Sequence, residues 1–341
     1  MTDIRPEELE DITVHDTLLP EFFAYTFDRT GAGQPVDLKD LQSIKRDDHA
    51  LVWVHFHLSN RAAIDWLTDA GLDSVIIDAL TDNETRPRCT VHGDGAFLNL
   101  RGVNLNPGSE PEDMVSVRFW IEGNRVIGVW LRPLMAIRDL LGSVERRQGP
   151  LSAGDLIARI ALRLVDKAEP VVASLNERLD SLEEMDVDDP PEDARRRLSA
   201  IRRESIRLRR YMLPQRDALS TLEIEDFDWL PHSDRVRIRE AVEHVVRLGE
   251  ELDAIRDRAQ VVRDELVDRR SEAMNRQMLV LSVVAAVFLP LTLIAGVLGM
   301  NVGGVPGADS AWGFVSVCGF LVAFAAVLIW YFRRIGLLRR F

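Results

Sequence analysis

The spacing of hydrophobic residues changes twice along the chain. Between residues 20 and 132 hydrophobic residues form short, partly alternating runs, and this period of two predicts β-strands. From Pro133 to about residue 275 they recur every three or four positions, which predicts amphipathic helices. Two long apolar runs then follow, separated by a short polar segment. The chain therefore divides into a strand-rich part, a helical part and a hydrophobic hairpin.

The strand-rich part is predicted to fold as an α/β domain with a mixed sheet. Helical spacing interrupts the strands at Asn60–Ala70 and Ser74–Leu80, where Asn60 and Ser74 are the predicted N-caps. The segment Glu122–Arg125 is typical of a hairpin turn. The predicted strands are Phe22–Asp28, Leu51–His57, Phe97–Val103, Val115–Ile121 and Val126–Leu131.

The helical part begins with a helix at Leu134–Arg147 and continues as an αα-hairpin. Its two long helices are predicted at Asp155–Met185 and from Asp193 to about Leu222. The tip between them, Glu183 to Asp193, is rich in acids and contains two prolines, which end a helix. This tip is either a solvated turn or a place where cations concentrate.

A single helix of nearly seventy residues is predicted from about Asp234 to Asn301. It would be about 100 Å long at about 1.5 Å per residue. Its first half carries an a/d stripe sustained over several heptads. The members of this stripe are Val245, Leu248, Leu252, Ile255, Ala259, Val262, Leu266 and Ala273.

The two apolar runs, Met278–Leu298 and Trp312–Phe332, are predicted to span a membrane. Each has twenty-one residues and contains no Asp, Glu, Lys, Arg or His, which is enough to cross about 30 Å of hydrocarbon. Arginines precede the first run and follow the second, whereas Val302–Ala311 has no Lys or Arg. The positive-inside rule then places both termini in the cytoplasm and the short loop outside.

These patterns predict a membrane protein of the α+β class with six segments. They are a cytoplasmic α/β domain (1–150), a long-helix cytoplasmic region (151–275), a first transmembrane helix (276–301), a periplasmic loop (302–311), a second transmembrane helix (312–332) and a basic cytoplasmic tail (333–341).

Composition narrows the class of partner. The formal net charge of −13 argues against nucleic acid, for which a basic surface is expected, and suits a protein that attracts cations. The chain has two cysteines, Cys89 and Cys318, which form neither a disulfide framework nor a CxxC metal site. This usage is consistent with a reducing compartment.

Candidates for conventional catalysis or metal binding are few. We find no nucleophile–base motif and expect no enzymatic activity. His55 and His57 share one face of a predicted strand, because side chains two apart do so. Such a pair either binds zinc, for which a third ligand is not evident, or is structural.

The long helix carries an acidic stripe on a face distinct from the a/d stripe. It consists of Asp253, Asp257, Asp264 and Asp268. In a single chain this is a solvated helix face. If several copies surround an axis, it becomes stacked rings of negative charge that attract cations, with Arg256, Arg258 and Arg263 as alternative partners of the carboxylates.

The first span carries a narrow stripe of small, hydroxyl and apolar residues at helical spacing. Its members are Asn275, Met278, Leu281, Ser282, Ala285, Leu289, Thr292 and Gly296. Such a stripe either lines a pore with a hydrophobic gate or serves ordinary helix packing. Two spans cannot enclose a path for a solute, so a conducting protein would be an oligomer. The alternative is a soluble domain with a membrane anchor.

The sequence Gly299-Met300-Asn301, directly after the first span and just before a last one, resembles the CorA superfamily of divalent-cation transporters. Three further stretches resemble its ZntB branch of bacterial zinc transporters. They are Thr85–Arg88, Arg210–Asp217 and Asn301–Gly307. The resemblance covers essentially the whole chain.

The resemblance implies a homopentamer in the bacterial inner membrane, in which each chain meets four identical subunits and the lipid bilayer. It assigns Gly299, Met300 and Asn301 to the pore mouth, with Asn301 meeting a hydrated cation, and the stripe of the first span to the pore lining. The ZntB branch implies transport of Zn²⁺, with Cd²⁺, Ni²⁺ or Co²⁺ as further cargo and coupling to a proton gradient.

One residue departs from the ZntB pattern. The ZntB branch often has an aliphatic residue at this position, whereas the magnesium channels have Met, as this chain does at Met300. A CorA-type Mg²⁺/Co²⁺ channel is therefore the alternative. The loop after the motif argues for zinc, because it carries no acid next to Asn301. The direction of transport does not follow from the sequence.

Overall fold

The computed structural model describes residues 19–82, 86–185, 193–300 and 312–335. The chain divides into two compact units. Of the described residues, the first unit comprises 19–82, 86–185 and 193–263, and the second comprises 264–300 and 312–335.

Within the described residues, the first unit contains a mixed sheet of seven strands. The strands are β1 (Phe22–Phe27), β2 (Gly33–Pro35), β3 (Leu51–His57), β4 (Arg88–His92), β5 (Gly95–Gly102), β6 (Val115–Glu122) and β7 (Arg125–Trp130). Their order is β2-β1-β3-β7-β6-β5-β4. The pairing of β3 with β7 is parallel and the other pairings are antiparallel. The predicted mixed sheet is confirmed.

Both faces of the central strands are covered. Every residue of β3 and β7 is buried, and this explains why β3 is a nearly continuous apolar run. On one face, Val54 and Phe56 join a core cluster with Leu67 and Leu80 of two short helices. Those helices are α1 (Arg61–Asp69) and α2 (Ser74–Thr81).

The N-cap residue of one of these two helices is the predicted one, and that of the other is not. Asn60 caps α1, because its side chain accepts a hydrogen bond from the Ala63 amide at 3.1 Å. The cap predicted at Ser74 is wrong. Asp73 caps α2 by accepting from the Val75 amide at 3.1 Å, and Ser74 is the first helical residue. A carboxylate and a hydroxyl stood side by side here, and both residue types are good caps.

Four longer helices follow the sheet. They are α3 (Met135–Glu145), α4 (Ala153–Glu183), α5 (Ala194–Ile224) and α6 (His232–Leu298), and the last contains 67 residues. The predicted αα-hairpin is confirmed by α4 and α5, while most of its acidic tip lies outside the described residues. The long helix is confirmed as α6, whose start is tied to α4 by the Ser152 hydroxyl donating to Asp234 at 2.5 Å.

The a/d stripe of α6 is buried over most of its length. Val245, Leu248, Leu252, Ile255, Ala259 and Leu266 are all at most 8% exposed. Arginines link this part of α6 to both helices of the hairpin: Arg247 pairs with Glu169 of α4, and Arg209 of α5 pairs with Asp253 at 2.9 Å. The stripe therefore packs within one chain. Ala273, its last predicted member, is exposed.

The second unit contains the end of α6 and the helix α7 (Gly313–Arg334). Both helices are long and apolar enough to cross a membrane. In the apolar window of α6 only 6% of residues are buried, and in that of α7 none are. Helices of a soluble core would be covered, so this exposure favours a membrane setting.

Candidate functional site

The predicted pore stripe occupies an uncovered face of α6. All of its eight members, from Asn275 to Gly296, are exposed. Leu289, in the middle, is 75% exposed. The α-helix continues through Pro290 without interruption.

A different face of the same helix is half-covered. Its residues recur at helical spacing and are Leu279, Val283, Val287, Pro290, Leu291, Ile294 and Leu298. A matching set on α7 is half-covered as well, and it consists of Gly313, Val317, Leu321, Phe324, Ala325, Leu328 and Phe332. Two such stripes are expected of helices that lie against each other. Val287 and Leu289 are two positions apart, which is about 200° around a helix, so the predicted pore stripe faces away from this covered side.

The exposed stripe borders an apolar groove of about 510 Å³. Its lining includes Ala285, Leu289, Thr292, Gly296 and Met300. The Thr292 hydroxyl donates to the Phe288 carbonyl at 2.8 Å. This bond satisfies the hydroxyl within the helix, so the groove offers a permeating ion little but hydrocarbon. An ion would have to pass here with its own water, as at a hydrophobic gate.

The motif that ends the first span is described only in part. The Gly299 amide still donates to the Ala295 carbonyl, at 2.9 Å, so the helical hydrogen bonding extends to this residue. Met300 is exposed, and Asn301 lies outside the described residues. A Cβ at Gly299 would be 3.1 Å from the Ala295 oxygen, which is close enough to disfavour a larger residue.

Two members of the acidic stripe are paired with arginines of the same chain. Asp253 contacts Arg209 at 2.9 Å and Arg256 at 3.2 Å, and Asp257 contacts Arg256 at 2.9 Å. Asp264 and Asp268 are exposed. The carboxylates of Asp253 and Asp257 are therefore already neutralised within the subunit, which leaves them little scope to attract cations.

A clamp around Arg258 was missed by the sequence analysis. Its guanidinium donates to Asn176 at 2.8 Å, to Asp180 at 2.6 Å and to Glu183 at 3.0 Å, all on α4. These hydrogen bonds, first to Glu183 and then to Asp180, raise the pKa of Arg258. Arg258, expected as an alternative partner of the acidic stripe, instead holds the end of α4 against α6.

His55 and His57 occupy different surroundings, although both are buried on the same face of β3. The His57 Nε2 donates to the Leu131 carbonyl at 2.9 Å, while its Nδ1 accepts from the Ser59 amide at 3.1 Å. His55 stacks on Phe23 with ring centroids 5.0 Å apart, and burial lowers its pKa to about 3. The geometry favours the structural alternative for this pair.

The described residues contain no group of three or more His, Cys, Asp or Glu side chains that could hold a metal ion. A zinc site built on His55 and His57 would also require His57 to give up two hydrogen bonds.

The stretch Arg210–Asp217 lies on α5 and contacts the sheet. The Gln215 side chain accepts from the Arg101 amide at 2.7 Å. The Arg101 guanidinium lies over the Tyr211 ring, 4.1 Å from its centroid. This stretch, which resembles the ZntB branch, therefore anchors α5 to β5.

Comparisons with known proteins agree with this architecture. Residues 48–334 match the model of the family described as CorA-like Mg²⁺ transporter protein. The chain is similar to the divalent cation transporter CmaX of Pseudomonas aeruginosa, with 36% identity over 316 residues, which cover 92% of this chain and 95% of the relative. It is also similar to the zinc transport protein ZntB of Pectobacterium carotovorum, with 35% identity over 315 residues that cover 91% and 94%.

A solved structure extends the agreement from sequence to fold. The structure of the full-length CmaX protein matches with a TM-score of 0.80 at 35% identity and covers 94% of this chain and 100% of that one. The expected resemblance is confirmed, and the chain belongs to the CorA-like Mg²⁺ transporter family.

Proposed function

We propose that this protein transports divalent cations across the bacterial inner membrane, with Zn²⁺ as its main cargo, through a pore formed by five copies of the chain. The observation that carries the proposal is the exposed, uncharged stripe on α6, on the side away from the half-covered face. A stripe that nothing in its own unit covers, in a family of cation transporters, is where copies of the chain would meet around an axis.

The proposed number of subunits is supported by the two spans of each chain and by the family resemblance. One chain supplies two spans within its described residues, and two helices enclose no path. Five first spans around an axis would place the stripe from Asn275 to Gly296 inside and α7 outside. In this arrangement Gly299 and Asn301 form the mouth, and Leu289 forms part of the narrow apolar section.

The cargo is proposed from the relatives and from the loop. One relative is named for zinc and another for divalent cations in general. The loop after Asn301 has no acid next to the motif, which supports zinc, whereas Met300 supports the Mg²⁺/Co²⁺ alternative. Cd²⁺ and Ni²⁺ are further candidates. Coupling to protons would need carriers outside the spans, such as Asp309 or the cytoplasmic histidines, because the spans carry no Asp, Glu, Lys, Arg or His.

The orientation proposed from the arginines places both termini in the cytoplasm. In this orientation Asp264 and Asp268, both exposed, lie on the cytoplasmic side of the first span. They would attract cations to that side without binding them tightly. We propose no enzymatic step.

Flux measurements on Asn301→Ala test the transport function. The full-length protein is reconstituted into liposomes that contain a zinc-sensitive dye, and Zn²⁺ influx is compared with that of wild type. We expect at least a tenfold loss of flux, because the amide that meets the hydrated cation is removed. Ser316→Ala, a polar-to-alanine change in the second span, serves as the matched control and should retain wild-type flux.

Two outcomes would reject parts of the proposal. Undiminished Zn²⁺ flux in Asn301→Ala would reject the assigned pore mouth, and a wild-type protein without flux of any ion would favour the membrane-anchor alternative. The same liposomes are then given Mg²⁺ and Co²⁺ with matching dyes. Faster flux of Mg²⁺ than of Zn²⁺ would show that Mg²⁺, and not Zn²⁺, is the main cargo. Measurement of the mass of the detergent-solubilised particle checks whether it contains five chains.

A further inference from the structure

An open pocket of about 450 Å³ in the first unit is separate from the proposed pore. It lies between α5 and the ends of β5, β6 and β7. Four arginines line it: Arg101 and Arg132 come from the sheet side, and Arg207 and Arg210 from α5. A volume of this size is typical of sites for small molecules.

The pocket is positively charged in a protein of net charge −13. It contains two carboxylates, and both lie near one arginine: Arg207 is 3.6 Å from Glu112 and 3.8 Å from Asp113. Within the described part of the chain, no acid lies within 4.0 Å of the Arg132 or Arg210 guanidinium. Four arginines and two carboxylates line the pocket, so positively charged side chains outnumber negatively charged ones in its lining.

The back of the pocket is held in place by the contacts of Arg101. Its amide donates to Gln215 and its guanidinium lies on the Tyr211 ring, 4.1 Å from the centroid. Burial lowers the pKa of Arg101, which means that its charge is incompletely solvated. An anion beside it would offset this cost. The rigid side chain is thus prepared for a negatively charged ligand before the ligand arrives.

We propose that this pocket binds a small anion carrying a diphosphate group, either free or as part of a nucleotide. Arginine forks donate paired hydrogen bonds to phosphate oxygens, and several arginines around one cavity match several phosphate charges better than a single carboxylate or chloride would. The Ser116 and Tyr211 side chains add hydroxyl groups to the lining. The ligand of this pocket would be an anion, whereas the proposed cargo of the pore is a cation.

Calorimetric titration of the full-length protein in detergent tests this site. The probes are pyrophosphate, ATP and inorganic phosphate, in buffer stripped of divalent cations at 0.15 M salt. We expect saturable binding of pyrophosphate and ATP and at least tenfold weaker binding of inorganic phosphate. Equal affinity for pyrophosphate and ATP assigns recognition to the diphosphate group, while tighter ATP binding assigns it to a nucleotide; both results support the site.

Two double variants with the same change of net charge separate a site from general attraction. Arg132→Gln with Arg210→Gln removes two pocket arginines, both of them exposed, so the fold should be retained. Arg202→Gln with Arg203→Gln removes two exposed arginines of α5 that do not line the pocket. The pocket variant should bind pyrophosphate at least tenfold more weakly, and the control should stay within twofold of wild type.

A conservative variant tests whether the paired hydrogen bonds of a guanidinium are needed in addition to its charge. Arg210→Lys keeps the charge and removes the fork, so its affinity for pyrophosphate should fall several-fold, between wild type and the double variant. Absence of saturable pyrophosphate and ATP binding by wild type, or equal losses in the pocket and control variants, would overturn the proposal. These measurements do not involve transport, so they stand whether or not the proposed pore is correct.

Discussion

The two halves of α6 have opposite relations to their surroundings, although they belong to one continuous helix. In the half before residue 264, Leu252 and Ile255 are at most 2% exposed, and ion pairs join this half to α4 and α5. In the half after it, Leu281 and Leu289 are 69% and 75% exposed. The first half is a part of a water-soluble core, and the second half has its apolar side chains uncovered.

This difference shows which part of the fold is complete in one chain. Leaving apolar surface in water costs about 25 cal/mol per Å², so the second half must be covered by lipid, by other copies of the chain, or by both. The first unit requires less such cover, because both faces of its central strands and most of the a/d stripe of α6 are buried. We therefore expect identical substitutions in the two halves to have different consequences.

The largest difference is expected between two leucines of the same helix. Leu252→Ala removes a fully buried side chain and should lower the free energy of unfolding of the first unit by about 2–5 kcal/mol. Leu281→Ala removes an exposed one and should change it by less than about 0.5 kcal/mol. Denaturant unfolding of the full chain in detergent, followed by tryptophan fluorescence, measures both values.

Five of the seven tryptophans, among them the buried Trp53 and Trp130, belong to the first unit, so this fluorescence reports mainly on that unit. Wild type and Leu281→Ala should unfold at the same midpoint. Equal destabilisation by the two alanines would show that the exposed half of α6 also supports the core of the first unit, and the contrast between the halves would be lost.

A second contrast lies inside the first unit, between its hydrophobic core and His55, a buried imidazole whose pKa is lowered to about 3. His55 stays neutral in the folded state, while in the unfolded state it is protonated below about pH 6.5. The unfolded state therefore binds more protons as pH falls, and stability is lost between about pH 6.5 and pH 3. The loss should reach about 2 kcal/mol at pH 5.

His55→Phe should remove this acid sensitivity. The replacement ring would stack between Phe23 and Phe119, as the imidazole does. Phe56→Leu changes the neighbouring buried residue and keeps His55, so it should be less stable at all pH values but retain the wild-type slope. Unfolding free energies at pH 7.5, 6 and 5 measure the slopes. An unchanged slope in His55→Phe would assign the acid sensitivity to other groups.

Much of the fold was predictable, because buried apolar residues recur in the sequence with the period of the helix or strand that carries them. The bounds predicted for β3 match the structure, and α4 and α6 are displaced by about two residues. The two missed strands are β2 and β4, at the edges of the sheet. An edge strand has few buried residues, and β4 is largely exposed at His92 and its neighbours, so neither strand shows an apolar period.

The site was predictable only where it lies along one helix. The exposed stripe from Asn275 to Gly296 follows from helical spacing alone. In contrast, His57 bonds to Leu131, 74 residues away, and Arg258 bonds to α4 across 75 to 82 residues. Pairs at such separations have no spacing that a single sequence reveals, and the arginine pocket was missed for the same reason.

The smallest effect is expected from two neighbouring arginines of α6. Arg258 joins α6 to Asp180 and Glu183 of α4, whereas Arg256 pairs with Asp253 and Asp257 of its own helix. Arg258→Gln leaves two carboxylates of α4 without their cation. Because these groups are 31% to 45% exposed, solvent screening limits the expected loss to about 1 kcal/mol. Arg256→Gln should cost less than about 0.5 kcal/mol, as pairs within one helix do.

The salt dependence of the cost of Arg258→Gln distinguishes a loss of ion pairs from a loss of packing. The arginine stem also covers apolar surface, and loss of this cover would not depend on ionic strength. At 1 M salt the Debye length is about 3 Å, so the cost of Arg258→Gln should fall by at least half relative to 0.1 M salt. A cost that is independent of salt would assign the effect to packing. A cost equal to that of Arg256→Gln would show that the clamp adds nothing beyond a surface ion pair, and that the core of the first unit alone holds the first half of α6 in place.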